Sequence, residues 1–595
     1  MKTTIGRVCG RILTWRFLGG ALVVCILLLL AFWLGVRSEP LVEKVIVKLT
    51  PPEPTQALPM KHPPPVVFPE DGVVVRAADV RATINPFEVL PDGVARLPEY
   101  IGLTEWLTFD QAVPRELVLV ARGKPSQHGY PLVQVLLESS EGETLFDKRF
   151  KVFADNWEAH HVKLPALQGD VTLRVFFLRG VFEGRGDVLD IQQFYVSDAR
   201  LAESSPNPPT LKQRTDALIR KHRMGTLRVQ AEPGAAVAIR QTRHAFQFGS
   251  SIGSVVFKDG RLSPENLKRY QETFLANFNA ATPAVLYWQS TERSRNKSDF
   301  EVADKAIQWC HDNGLYVRGH TVFWGSDVRG RVMDWQKRLE NEDLRHVIRR
   351  RGKQVTARYK GLVDEYDFNN EMVHHKYFRT RMFDIAYDMA VSMKAGDPDA
   401  TLYFNDFNVL TLGALNDYTD LLDRLLADGV PVEGLGVQGH ADGEIYYKHA
   451  WEALDRLEGY DMPVKITEAG PATWVQAARA EALEKLFRTC FAHPAVDGIT
   501  IWDFWQPIMW QQKAALWDED WNILPAGEAY VRLVKDEWWT TWDGRADENG
   551  MVEIPAFYGA YEVTIEGKDT VNIRLSKPDG ASTAKAETVG SSVTP

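Results

Sequence analysis

The chain is short of cysteine: four in 595 residues, with Cys9 and Cys25 near the start and only Cys310 and Cys490 in the body. That count and spacing exclude a disulfide framework and a thiolate metal cluster. Positive charge is also in deficit. Lysine and arginine total 69 against 79 acids, a net charge of −10, which argues against a nucleic-acid-binding face. No Gly-rich turn follows an early strand, so the phosphate cradle of a doubly wound nucleotide-binding sheet is missing.

What is present is ample core material. Hydrophobic residues make up 45% and charged residues 25%, the proportions of a globular protein, and the length calls for several domains. Aromatic side chains are abundant, with 18 Trp, 18 Tyr and 28 Phe. A large core uses most of them, and flat rings also stack on sugar faces.

Residues 1–16 carry Lys2, Arg7, Arg11 and Arg16, and an uncharged apolar run fills 17–36 before Arg37. Such a run is long enough to cross a bilayer, and the basic flank predicts a cytoplasmic N-terminus. The expectation is a single-pass membrane anchor with the remainder extracytoplasmic, in the periplasm or at the cell surface. Residues 37–72 are Pro-rich and read as a semi-stiff spacer. Over 73–200, short alternating apolar runs between turn residues predict an all-β sandwich, followed by a linker at 201–210.

From 211 to 540 a strand–helix rhythm repeats. Strand ends are expected near Ser250, Thr282, Thr321, Glu371, Phe407, His440, Glu468 and Trp502, with helices over 299–313, 344–362, 384–395, 416–428 and 477–491. An amphipathic helix over 211–223 opens this region, and the stretches at 226–229 and 237–240 are expected to pair as a hairpin. Eight strand–helix units predict an α/β fold, a (β/α)8 TIM barrel whose site lies at the strand C-terminal ends. A small β appendage is expected over 541–576 and a disordered tail over 577–595.

Two of the strand ends carry the chemistry. Val363-Asp364-Glu365-Tyr366-Asp367-Phe368-Asn369-Asn370-Glu371 is an apolar strand that ends in an amide and a carboxylic acid. Pro463-Val464-Lys465-Ile466-Thr467-Glu468 repeats the arrangement. A retaining glycosidase needs one carboxylic acid to protonate the leaving oxygen and one carboxylate to attack the anomeric carbon. Strands four and seven of a barrel point at a common centre, so Glu371 and Glu468 fit those two roles, with Glu371 protonated and Glu468 ionised. Asn370 is placed to bond a sugar hydroxyl. No metal or other cofactor is called for.

In order along the chain, Arg318-Gly319-His320-Thr321-Val322-Phe323-Trp324, Asp367 to Glu371, Tyr403-Phe404-Asn405-Asp406-Phe407-Asn408, Gly436-Val437-Gln438-Gly439-His440 and Ile466-Thr467-Glu468 resemble the motifs of glycoside hydrolase family 10, the xylanase family. The resemblance implies Glu371 as acid/base and Glu468 as nucleophile, with His440, Asn370, Gln438 and Asp406 in support. It implies sugar contacts for His320, Trp324, Asn370, Trp502 and Trp510. The expected substrate is xylan or a related β-glycan. An endo-β-1,4-xylanase-like activity is implied, the alternatives being another or decorated polymer, or a barrel that binds glycan without turnover. The 73–200 region weakly resembles jelly-roll carbohydrate-binding modules, without the acidic loop of their calcium-dependent versions. Departures from the family pattern lie after strand two, where Thr282-Pro283-Ala284-Val285-Leu286-Tyr287-Trp288 replaces the usual Glu-Asn pair and Lys. Trp288 is therefore expected to contact sugar. Gly325 stands where the third strand usually has His, and Ala469-Gly470 stands where Leu-Asp is usual.

Overall fold

A computed structural model describes residues 68–577 apart from 70, 86, 91–92, 98–100, 125–130, 153–155, 180–187 and 206–207, together with a short strand at Ala586–Thr588. The expected anchor at 17–36, and almost all of the Pro-rich spacer, lie outside the described residues. Among the described residues no helix is long and apolar enough to cross a membrane.

Residues of the all-β region form antiparallel strands around one apolar core that includes Leu107, Leu119, Val135, Val175 and Ile191. Two strands are unusually long, Gly102–Lys124 and Glu158–Arg179. They pair along most of their length, with register shifts around Phe109, Val113 and Arg115. Such shifts let a strand bend, so one strand serves both faces of the core.

The barrel strands are Gln247–Gly253, Ala280–Ala284, Tyr316–Gly319, Glu365–Asn370, Thr401–Asp406, Gly434–Ala441, Val464–Pro471 and Val496–Ile501. Every neighbouring pair is parallel. The eighth strand closes on the first through Gln247↔Gly498 and Phe248↔Ile499. A short extension, Phe323–Trp324, continues the third strand beside the fourth. Strand four is buried at all six positions, the pattern of a strand covered on both faces.

The opening helix, Leu211–Arg223, begins at a capping box in which Thr210 and Gln213 satisfy each other's backbone donors. The expected hairpin does not form. Met224–Gln230 pairs with Met551–Phe557, and Ala236–His244 lies between Thr541–Arg545 and Gly559–Ile565. The strands before the barrel and the appendage after it therefore share one small core around Leu227, Ile239 and Val563. Sequence distance hid this pairing, because each strand looks for a hydrophobic partner and finds it some three hundred residues away. Of the tail expected to be disordered, Ala586–Thr588 pairs with Val571–Leu575.

The β region is docked on the barrel. Phe176, Leu136 and Leu178 pack with Tyr446 in one buried cluster, and Phe176 stands edge-on to His449 with centroids 4.7 Å apart. At the middle lies Glu138, which accepts from Arg174 (2.6 Å) and Tyr446 (2.6 Å) and pairs with Lys448 (2.5 Å). Burial alone would raise the pKa of Glu138, but Arg174 and Lys448 outweigh it and hold the carboxylate ionised. Its contribution is therefore present above the ordinary glutamate range and lost as pH falls through the depressed value. Replacing Glu138 with alanine strands two cations in the interface and should destabilise the docked state by about 3 kcal/mol. In calorimetry the β region should then melt ahead of the barrel; unchanged melting would show that the ionic cluster does not hold the interface.

Candidate active site

At the C-terminal end of the barrel strands lies an open cleft of about 1540 Å³, and both Glu371 and Glu468 line it. The strand register explains how they get there. Trp324 lies beside Asn370 and Asn370 beside Asn405, while Gln438 lies beside Glu468. Register shifts fall between Asp367 and Asn369 on strand four and between Ile466 and Ala469 on strand seven. Each adds a residue just before or beside a glutamate, which re-aims the side chain that follows. Glu371 itself leaves its strand with φ at 58°, a left-handed conformation rare for a side-chain-bearing residue and frequent at functional turns. Its amide is held by the Asn405 carbonyl at 2.8 Å.

The two carboxyls have different partners. Glu371 accepts from the Trp324 indole (Oε2, 3.0 Å) and from the Gln438 amide (Oε1, 2.9 Å), and His375 Nε2 lies 3.1 Å from Oε2. Glu468 has His440 Nε2 at 3.1 Å from Oε2 and receives a long bond from Asn405 at 3.4 Å. Burial pushes the Glu371 pKa up, but His375 and Gln438, with Arg329 beyond them, outweigh burial and hold it below the ordinary glutamate value. Where the sequence led to the expectation of a protonated Glu371, its surroundings instead lower its pKa. Two donors and the nearby His375 ring around one carboxyl favour its ionised form.

Asn370 spends its carbonyl on Asn405 (2.8 Å), leaving its buried amide nitrogen with no partner. A buried donor without an acceptor is costly, and this one is free to meet a ligand hydroxyl. His320 bonds Asp367 through Nδ1 at 2.9 Å, which fixes the ring and leaves Nε2 toward the cleft that His320 lines. His440 Nδ1 is likewise buried and unpartnered. A Cβ on Gly470 would sit 3.4 Å from that nitrogen. Asp406 is buried below the cleft. It bonds His374 Nδ1 (2.6 Å) and the Val373 amide (2.7 Å), pinning the turn that follows Glu371.

Trp324, Trp502 and Trp510 line the cleft, and Trp510 is 58% exposed. Trp288 does not. Its ring packs against Phe323 and Trp335 and its indole donates to the buried Glu292 at 3.0 Å. Tyr287, one residue earlier, faces the cleft instead. Sequence reasoning also missed several contributors. His375 follows Glu371 by four residues, a spacing that is visible once a turn is assumed. Asn405 stood within a recognised motif without a role. Asp503 lines the cleft beside Trp502, with burial pushing its carboxyl up to about 7 and one oxygen unpartnered. Nothing in the sequence announced that Ile84 and Asn85 of the β region would form part of the same wall. Asn85 accepts from the Glu444 amide at 3.0 Å and donates to its carbonyl at 3.2 Å. Asp455, Glu458 and His493 come together at metal-like spacing, but they are not among the cleft-lining residues.

The chain is similar to several known proteins. "Endo-1,4-beta-xylanase 1" of Arabidopsis thaliana is 31% identical over 338 residues, covering 56% of this chain and 34% of that protein. "Anti-sigma-I factor RsgI6" of Acetivibrio thermocellus is 31% identical over 347 residues, covering 58% of this chain and 44% of that protein. The chain therefore spans less than half the length of these relatives. The solved structure of xylanase 10B from Thermotoga petrophila in complex with xylobiose aligns at 25% identity with a TM-score of 0.45, over 49% of this chain and 95% of that one. The sequence profile described as Glycosyl hydrolase family 10 matches residues 241–533, a span that contains Glu371, Glu468 and the donors around each. Over that span the chain belongs to glycosyl hydrolase family 10.

Proposed function

We propose that the protein is a retaining endo-β-1,4-xylanase-like hydrolase acting on xylan or a related β-glycan. The observation that carries this reading is the pair of glutamates in one cleft, each held by its own donors. Glu468, backed by His440 and Asn405, attacks the anomeric carbon. Glu371 gives its proton to the departing oxygen and then takes one from the water that releases the sugar. The free amide of Asn370 bonds a hydroxyl of the reacting sugar, and Trp502 and Trp510 offer stacking surfaces. The 17–36 run anchors the enzyme in a membrane with the barrel outside. The docked β region extends the cleft wall through Ile84 and Asn85, a role in polysaccharide binding that needs no independent module.

A second reading, a barrel that binds glycan without turnover, is favoured by one observation: a relative of equal identity bears the name of an anti-sigma factor. Digestion separates the two. Purified protein should release oligosaccharides from xylan, and Glu468→Ala should lower the rate by about three orders of magnitude or more. Binding without release by the unmodified protein would favour the second reading.

The pH profile tests the setting of Glu371. Its protonated form is the active acid, so kcat/KM falls as pH rises through its pKa. His375 helps hold that pKa down. In His375→Ala the alkaline limb of kcat/KM should therefore move to higher pH. An unmoved limb would mean that His375 does not tune the acid.

A further inference from the structure

We propose that Arg331 makes the cleft selective for a sugar bearing a carboxylate, a uronic acid unit or side group, seated beside Tyr287 and Trp324. The proposal rests on the hydrolase reading and names the substrate class of the same cleft. Arg331 lies on the loop after the third strand, fixed by its own amide to the Ser326 carbonyl at 2.9 Å. Its guanidinium carbon is 4.5 Å from the ring centroid of Tyr287 and 4.5 Å from that of Trp324. Both rings line the cleft, as does Arg331. The two rings hold the flat cation in place but accept none of its hydrogen bonds in the ring plane.

Among the described residues no carboxylate pairs with Arg331, and its buried Nε has no hydrogen-bond acceptor. Two of the nearby acids are already engaged. Asp327 pairs with Lys337, and Glu371 is bound to Trp324 and Gln438. At the other side of the cleft Lys513 pairs with Asp442 and Glu444 with Lys485. Burial lowers the guanidinium pKa, neighbouring Arg329 adds to the shift, and Tyr287 and Glu371 only partly oppose it.

A neutral hydroxyl would leave that charge uncompensated. A carboxylate matches the two-pronged donor edge of guanidinium and supplies the missing counter-charge. The location also fits. The loop after strand two, 282–288, offers no ionic side chain, so the loop after strand three provides the charged handle on this side of the site.

The test uses two matched xylo-oligosaccharides, one bearing a uronic acid and the other the same molecule with its carboxyl reduced to the alcohol. The readout is the ratio of their kcat/KM values. The unmodified protein should prefer the acid by about tenfold, the scale of one charge-assisted hydrogen bond. Arg331→Gln should bring the ratio near unity, and Arg331→Lys should retain part of it. A ratio near one in the unmodified protein, or a preference that survives Arg331→Gln, overturns the proposal. Equal losses on both substrates in Arg331→Gln also overturn it, since they would mark a general positioning role. Should Arg331→Gln not fold, an unchanged ratio in Arg331→Lys has the same meaning. If neither oligosaccharide is cleaved, the hydrolase reading fails, and calorimetric binding of the same pair decides: tighter binding of the acid, lost in the variants, supports the carboxylate site, and equal binding overturns it.

Discussion

Beneath the cleft, a positive charge is carried into the middle of the barrel. Arg318 is buried and pairs with both Glu365, at 2.5 Å, and Asp367, and Lys465 completes the group by pairing with Glu365 from strand seven. Burial of so many charges costs heavily in solvation, and pairing at best offsets that cost. What the network yields is placement. Asp367, held by Arg318, in turn holds Nδ1 of His320. Lys465 and Glu365 tie the strand that carries Glu468 to the strand that ends before Glu371. The two glutamates thus stand on, or just past, strands locked together by the Lys465–Glu365 ion pair.

Above that layer the site is built mainly from amides and rings. Gln438 and Trp324 donate to Glu371, Asn405 bridges toward Glu468, and the Thr467 hydroxyl donates to the side-chain oxygen of Asn405 at 2.6 Å. Neutral donors of this kind orient a carboxyl without cancelling its charge. They leave the buried amide nitrogen of Asn370 and Nδ1 of His440 without partners. The cleft is therefore polar where chemistry would occur and aromatic at its borders, the combination that positions a pyranose ring by stacking and by hydroxyl contacts together.

Much of this was legible in the sequence. The eight expected strand ends fall within three residues of the observed ones, because a strand covered on both faces is an apolar run with an abrupt end. The strand-end glutamates were visible for the same reason. The rest depended on contacts that no local pattern encodes. The register shifts near Asp367 and Ile466 change which side of the strand a residue faces, and no periodicity reveals them. Trp288 and Tyr287 are adjacent aromatics of similar character, and only the fold decides which one enters the core. The pairing of the strands before and after the barrel, and the approach of Asn85 to Glu444, join residues hundreds of positions apart.

The central claim is that Glu468 forms a covalent bond with the sugar while Glu371 manages the proton. A fluorinated xylobioside with a good leaving group, which forms the glycosyl-enzyme but releases it slowly, tests this directly. After incubation and proteolysis, mass spectrometry should find the added sugar on the peptide that contains Glu468, and Glu468→Ala should acquire none. Labelling at another carboxyl, or no labelling of a protein that still cleaves xylan, would contradict the account.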